Sequence, residues 1–175
     1  PVTTEFNDAN IQIDQTIEAI KIFHSKTKYK VVWLWPNIDA GSDIISKQLR
    51  ILRENKLINN ISFFKNFTPE SYIKLICNCE CLVGNSSSGI RESSFLSIPV
   101  VNIGSRQKNR EQGFNVINVG YNKNDIYKAI LKQRNSKKIR KSNVYGDGFA
   151  SKKIVKILSK ILKRKISIEK ELNYL

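Results

Sequence analysis

Short, almost unbroken apolar runs recur along this chain, and they constrain its fold more than any other feature. They read Tyr29-Lys-Val-Val-Trp-Leu-Trp35, Ile61-Ser-Phe-Phe64, Cys81-Leu-Val83, Val100-Val-Asn-Ile103 and Val116-Ile-Asn-Val119. Runs of this length without polar alternation are strands buried on both faces, the signature of a parallel sheet. Helical patterns separate them. Ile11, Ile13, Ile17, Ile20 and Phe23 approximate a stripe ahead of the first strand, and Ser42 can cap a helix that turns Ile45, Leu49 and Leu52 inward. Thr68-Pro69-Glu70 opens a further helix with proline in its first turn, and another runs around Asp125 to Gln133. Strand alternating with helix predicts an α/β fold: a Rossmann-like parallel sheet with helices on both faces, in the doubly wound manner.

With 175 residues, 41% of them hydrophobic, the chain can build one full core. The sequence divides into a nucleotide-binding domain over residues 1–150 and an amphipathic basic helix and tail over 151–175. In that tail Ile154, Val155, Leu158, Ile161, Leu162 and Ile166 recur at helical spacing with lysines on the other face. Such a stripe packs on its own domain, or on a second domain or partner. The formal net charge of +15 points to an anionic partner without separating nucleotide, nucleic acid and acidic lipid. From Leu131 to Leu175 there are fourteen Lys or Arg against three acids. Most of the excess charge therefore lies in the last quarter, either as a solvated helix face or as a nucleic-acid or membrane patch.

Cys77, Cys79 and Cys81 alternate, unlike the two-residue gap of a zinc knuckle, and the single histidine, His24, is far away. They read as small buried apolar residues in a reducing compartment. No apolar run approaches the roughly 18 residues of a membrane span, and no signal peptide precedes the first structured segment. A soluble cytoplasmic protein is expected. Methionine is absent, so the chain begins inside a longer gene product or has lost its initiator.

Chemistry concentrates in residues 82–115. An apolar strand enters Gly84-Asn-Ser-Ser-Ser-Gly89, a helix begins, and a second strand delivers Gly104-Ser-Arg106-Gln-Lys-Asn-Arg110-Glu-Gln-Gly113. Backbone amides, a helix N-terminus, hydroxyls and guanidinium forks together suit a diphosphate. Both loops fall beyond the carboxyl ends of strands, where open parallel sheets collect ligands. Ser86 and Ser87 would donate to phosphate oxygens, Ser88 is a possible third contact, and Gly89 would let the backbone come close; an ordinary serine-rich helix cap is the plainer alternative. Glu92, in the first helical turn, supports the dipole or accepts from a ribose diol. Arg106 and Arg110 are phosphate ligands or surface charge. Asn37, Asp39 and Gly41 form a turn at the same edge, after the first strand. Trp33 and Trp35 read as core. Phe63, Phe64 and Phe67 lie near a strand end where a base could rest, although core packing is their default. His24 reads as a surface or capping residue. There is no Ser-His-Asp set, metal-ligand cluster or glycine-rich dinucleotide fingerprint, so neither metal nor cofactor is expected.

Taken together, Trp35-Pro-Asn37-Ile-Asp39-Ala-Gly41-Ser, Gly84-Asn-Ser-Ser-Ser-Gly89-Ile-Arg91-Glu92 and Gly104-Ser-Arg106-Gln-Lys-Asn-Arg110-Glu-Gln-Gly113-Phe-Asn115 resemble the hydrolysing UDP-N-acetylglucosamine 2-epimerases. The later Val144-Tyr-Gly-Asp-Gly148 is similar too, and the resemblance runs in order from Pro1 to about Leu162. It implies one half of a two-domain fold of the glycosyltransferase-B type, the C-terminal half that grips the nucleotide. It implies further that Ser86 and Ser87 bind the diphosphate, Glu92 the ribose, that Arg106 supports the site, and that Asn37 belongs to a loop at the cleft. In the family a final helix crosses back to the N-terminal domain, which would account for the stripe from Ile154 to Ile166. Family members form homodimers or higher assemblies.

One departure bears on activity. In the family Pro-Val-Thr-Thr follows a histidine lining the active site, and this chain opens at Pro1; the carboxylates credited with proton transfer lie in the N-terminal half. No catalytic residue is therefore expected here, and the chain should bind without turnover. For the intact enzyme the resemblance implies loss of UDP with abstraction of the C2 proton, then addition of water to a glycal, releasing N-acetylmannosamine and UDP. The sugar is N-acetylglucosamine or a 6-deoxy diacetamido relative used for sialic-acid-like products. Two other readings compete: a stand-alone module that binds UDP-sugars or nucleic acid, and a glycosyltransferase of the same architecture.

Overall fold

The computed structural model describes residues 1–55, 60–136 and 139–163. It divides into two compact units, Pro1–Val144 and Tyr145–Leu175. In the first, a 3-10 segment (Thr3–Asp8) leads into α1 (Ala9–Lys26), β1 (Val31–Leu34), α2 (Ser42–Glu54), β2 (Ile61–Phe64), α3 (Pro69–Cys77) and β3 (Leu82–Gly84). A 3-10 turn (Ser87–Gly89), α4 (Glu92–Leu96), β4 (Val100–Ile103), β5 (Val116–Val119) and α5 (Lys123–Arg134) follow.

Every strand pairing among the described residues is parallel, as the unbroken apolar runs require. β1 pairs with β2, Val31 opposite Ile61, and β4 lies between β3 and β5, Val101 opposite both Val83 and Ile117. The strands thus make two hydrogen-bonded ladders. One apolar core joins them: Val31, Trp33, Ile61 and Phe63 pack with Val83 and Ile117 around Val101 and Ile103. β4 is its centre, buried at every position. Trp33 and Trp35 belong to this core, as expected, with Trp35 edge-on to Phe63 at 6.2 Å between centroids.

Local signals explain the helices, with instructive exceptions. Thr68 caps α3 by accepting from the Ser71 amide at 3.3 Å, with Pro69 at the first position. Asn122 caps α5 through the amides of Asn124 and Asp125. Ser42 does not cap α2. Gly41 is the capping residue, in the left-handed region at φ +85, and Ser42 is already helical. α1 buries Ile13, Ile17, Ile20 and Phe23 as the stripe predicts, but Ile11 is 60% exposed. Two residues of an α-helix subtend about 200°, so Ile11 and Ile13 must face opposite sides; Gln12 takes the inward position instead.

The cysteines also need correction. Cys79 and Cys81 are half-buried, but Cys77, the last residue of α3, is exposed because its neighbour Ile76 turns into the core. Burial pushes the Cys81 thiol up to about 12 and raises that of Cys79. In the folded protein Cys77 is expected to react with an aromatic disulfide reagent at pH 8, whereas Cys81 reacts only after denaturation. A native-state thiol titration followed by mass mapping checks this.

In the second unit Asp147 accepts from the Phe149 amide at 3.1 Å and pairs with Lys153 at 2.7 Å, starting α6 (Ala150–Ile161). Within this unit its apolar stripe is uncovered: Ile154, Val155 and Leu158 are 55%, 61% and 50% exposed. Ile166 lies outside the described residues.

Candidate functional site

The loops leaving β1, β3, β4 and β5 all emerge at the carboxyl edge. After β3, Ser86 caps a single 3-10 turn, its Oγ accepting from the Ser88 amide at 3.3 Å. The amides of Gly89, Ile90 and Arg91 are consumed within that turn by the carbonyls of Ser86 and Ser87. Ser86 and Ser87 are exposed, and the Ser87 hydroxyl makes no hydrogen bond among the described residues. Arg91 then leads into α4, which is only five residues long. Serines shorten it: Ser94 Oγ donates to the Arg91 carbonyl at 2.9 Å, and Ser97 stops the helix in the left-handed region at φ 60. The helix expected at this loop is therefore a broken one, and its dipole is correspondingly small.

Gly89 is buried against the sheet. A Cβ there would lie 3.1 Å from Val100 Cγ1, so any side chain would press on the sheet unless Val100 gave way by a few tenths of an ångström. Ser88 points back into the protein, 2.6 Å from the Tyr72 hydroxyl and 3.1 Å from Ser86 Oγ. Glu92 opens α4 and is exposed. Burial raises the Tyr72 pKa, and the charge of nearby Glu92 adds to that rise.

The loop after β4 is tied down at three successive residues. Ser105 Oγ donates to the Glu5 carboxylate. Arg106 Nη2 reaches Asp39 Oδ2 at 3.1 Å, in the turn after β1. Gln107, 2% exposed, donates from Nε2 to the Asn85 carbonyl of the serine loop at 2.8 Å. Asp39 and Arg106, 67 residues apart, thus join the first-strand turn to the arginine loop, as Gln107 joins that loop to the serines.

Arg110 goes elsewhere. With Lys108, Asn109, Tyr121, Asn102 and Asn118 it lines a cavity of about 570 Å³ at the ends of β4 and β5, a lining that includes none of Ser86, Ser87, Glu92 or Arg106. Asn37 is exposed in the β1 turn, where its carbonyl accepts from the Asp39 amide at 2.9 Å. Of the aromatics near the end of β2, Phe63 faces the core, whereas Phe64 is 41% exposed and lies 4.9 Å from Phe67 between centroids. His24 is half-buried, and its Nδ1 has no hydrogen-bond partner among the described residues.

Sequence reasoning missed Glu5, Gln107 and Tyr121. It also passed over a readable signal: Asn102 and Asn118 sit inside strands, where asparagine is depleted, and are directly opposite in register. Asn102 Nδ2 donates to Asn118 Oδ1 at 2.8 Å, giving the cavity a polar floor.

The match to known proteins follows this geometry. Residues 3–159, which include every loop just described, match the family model for UDP-N-acetylglucosamine 2-epimerase. The chain belongs to that epimerase family. A UDP-N,N'-diacetylbacillosamine 2-epimerase (hydrolyzing) from Legionella pneumophila is 32% identical over 161 residues, 92% of this chain and 41% of the relative. The polysialic acid biosynthesis protein P7 of Escherichia coli is 34% identical over 170 residues, 94% of this chain and 42% of its own length. The chain thus spans about two-fifths of the length of these relatives. In fold it resembles the UDP-GlcNAc 2-epimerase of Methanocaldococcus jannaschii, with a TM-score of 0.70 at 19% identity over 91% of this chain and 44% of that one. The same protein in complex with UDP-GlcNAc and UDP gives a TM-score of 0.67 at 20% identity, over 86% of this chain and 41% of that one.

Proposed function

We propose that this chain is the nucleotide-binding, C-terminal half of a hydrolysing UDP-N-acetylglucosamine 2-epimerase acting in the synthesis of sialic-acid-like sugars. The observation that carries the reading is the linkage of the β1, β3 and β4 loops through Arg106–Asp39 and Gln107–Asn85, with the exposed Ser87 two residues beyond Asn85. In it Ser86 and Ser87 hold the diphosphate, Glu92 takes the ribose diol, Asn37 borders the sugar, and Arg106 exchanges part of its Asp39 contact for phosphate. The pair of exposed Phe64 and half-buried Phe67 offers a face for the uracil base. Ser88, occupied with Tyr72, acts by shaping the turn. Arg110 has the weaker claim, being turned toward the neighbouring cavity.

Chemically, this half stabilises charge on the departing UDP with donors fixed before the reaction, while an N-terminal domain supplies the groups that move the C2 proton. No residue here is assigned to proton transfer and none to a metal or cofactor. The apolar stripe of α6 packs on the N-terminal domain in this reading, and the intact protein is a cytoplasmic homo-oligomer. Support comes from the relatives: a hydrolyzing diacetylbacillosamine 2-epimerase, a polysialic acid biosynthesis protein, and a 2-epimerase solved in complex with UDP-GlcNAc and UDP.

A calorimetric titration of the chain with UDP at physiological salt tests this, with CMP and a single-stranded oligonucleotide as controls. Selective, saturable UDP binding is expected. Oligonucleotide binding that fades with salt, without a UDP signal, would instead assign the basic tail to nucleic acid. Ser87→Ala and Glu92→Ala should each weaken UDP by about 1 to 3 kcal/mol, the scale of a lost charged hydrogen bond. Unchanged affinity in both variants removes the site assignment.

A further inference from the structure

Ser105, Arg106 and Gln107 are consecutive, yet each is anchored to a different part of the molecule: Glu5 in the 3-10 segment, Asp39 after β1 and Asn85 after β3. The anchors on either side of Arg106, together with its own pair with Asp39, restrict the direction its side chain can take. The Glu5 anchor is the stronger of the two by chemistry. Its acceptor is a carboxylate, and hydrogen bonds to an ionised group are roughly twice as strong as neutral ones.

Two further donors immobilise that carboxylate. The Tyr121 hydroxyl, just beyond β5, donates to Oε2 at 2.6 Å, and Gln12 Nε2, on α1, donates to the same oxygen at 2.8 Å. Glu5 therefore ties together residues 100 and 116 positions away in the chain. The loop backbone rests directly on Tyr121, since a Cβ built on Gly104 would overlap the phenol. Glu5, Tyr121 and Gly104 form one assembly beneath the arginine loop.

We propose that Glu5 is a positioning residue for nucleotide binding, its carboxylate holding the 104–107 loop, and with it Arg106, in the geometry that receives the diphosphate. This rests on the reading that the loop binds UDP. It adds a residue that makes no contact with the ligand itself and lies outside the serine and arginine loops. Hydrogen bonds from Ser105 and then Tyr121 hold the Glu5 carboxyl below its ordinary range. Of the groups facing it, Ser105, Tyr121 and Gln12, only Tyr121 titrates. Its phenol, pushed up to about 12 by burial and by Glu5, remains a neutral donor throughout the acid range.

The test compares the unaltered 175-residue chain with Glu5→Gln and Glu5→Asp by amide hydrogen exchange, UDP titration and thermal unfolding from about pH 3 to 7. Glu5→Gln should speed exchange at residues 104–110 about tenfold, leave that of α5 and β4 unchanged, and weaken UDP about tenfold. Glu5→Asp, which keeps the charge, should restore part of both. Because the folded pKa of Glu5 is depressed, its stabilisation is present above the unfolded carboxylate value of about 4.3 and is lost as pH falls through the lower folded value. The stability gap between the unaltered chain and the Glu5→Gln variant is therefore expected to close only at the acid end. Unaltered exchange, or faster loop exchange with undiminished UDP affinity, overturns the proposal. Should the unaltered chain bind no UDP, the proposed function fails, and the exchange and acid-unfolding arms alone decide whether Glu5 holds the loop.

Discussion

Gly104→Ala is expected to lower stability more than any substitution at a ligand-facing side chain, and to weaken UDP binding as well. Gly104 sits at φ +77, where an L-residue costs about 1 to 2 kcal/mol. The new methyl would also overlap the Tyr121 hydroxyl and ring. Tyr121 cannot simply swing away, because its hydroxyl is bonded to Glu5 and its ring packs against the core. Either the loop or the tyrosine must move, and both movements break the Glu5 assembly. Strain and a lost charged hydrogen bond together amount to about 2 to 5 kcal/mol. UDP affinity should fall by at least about tenfold, since Ser105 and Arg106 follow Gly104 directly. Chemical denaturation and calorimetry on the same preparation measure the two effects; an unfolding midpoint within error of the parent would show that the loop accommodates a side chain and that the Tyr121 contact is slack.

Leu49→Ala is the second large effect, and it should separate folding from binding. Leu49 is 0% exposed on α2, packed in the cluster that includes Leu52, Ile17 and Ile20. Truncating a fully buried leucine costs about 2 to 5 kcal/mol through lost transfer energy and the cavity left behind. For a protein of this size, each kcal/mol lowers the melting temperature by about 2 to 4 °C, so a fall of roughly 4 to 20 °C is expected. Leu49 lies away from the loop-facing start of α2, where Gly41 sets the Asp39 turn. UDP affinity measured well below the melting transition should consequently change by less than about twofold. A parallel loss of affinity would mean that the α2 packing, and not only the Arg106–Asp39 contact, sets the direction of Arg106.

The strands were legible because their signal is local. Ile61–Phe64, Val100–Ile103 and Val116–Val119 begin and end where the apolar runs begin and end. The cap at Thr68 and the proline after it were legible for the same reason, and the cap at Ser42 was misread because Gly41, free to adopt a positive φ, competes for that position. Ser86, Ser87 and Glu92 were visible as a hydroxyl-rich stretch between a strand and a helix. That Arg106 and Arg110, four residues apart, would part company toward different strands was not, because direction on a loop is set by what the loop packs against.

By itself, then, the sequence determined the alternation of strand and helix, the parallel pairing, and the family to which the loops belong. Only the tertiary structure decided that Glu5 lies under the arginine loop, that Gln107 bridges to the serine loop, and that α4 is broken. The reason is physical. Periodicity, caps and turns are written within a few neighbouring residues, whereas a carboxylate meeting a hydroxyl 100 residues away depends on how the whole core closes.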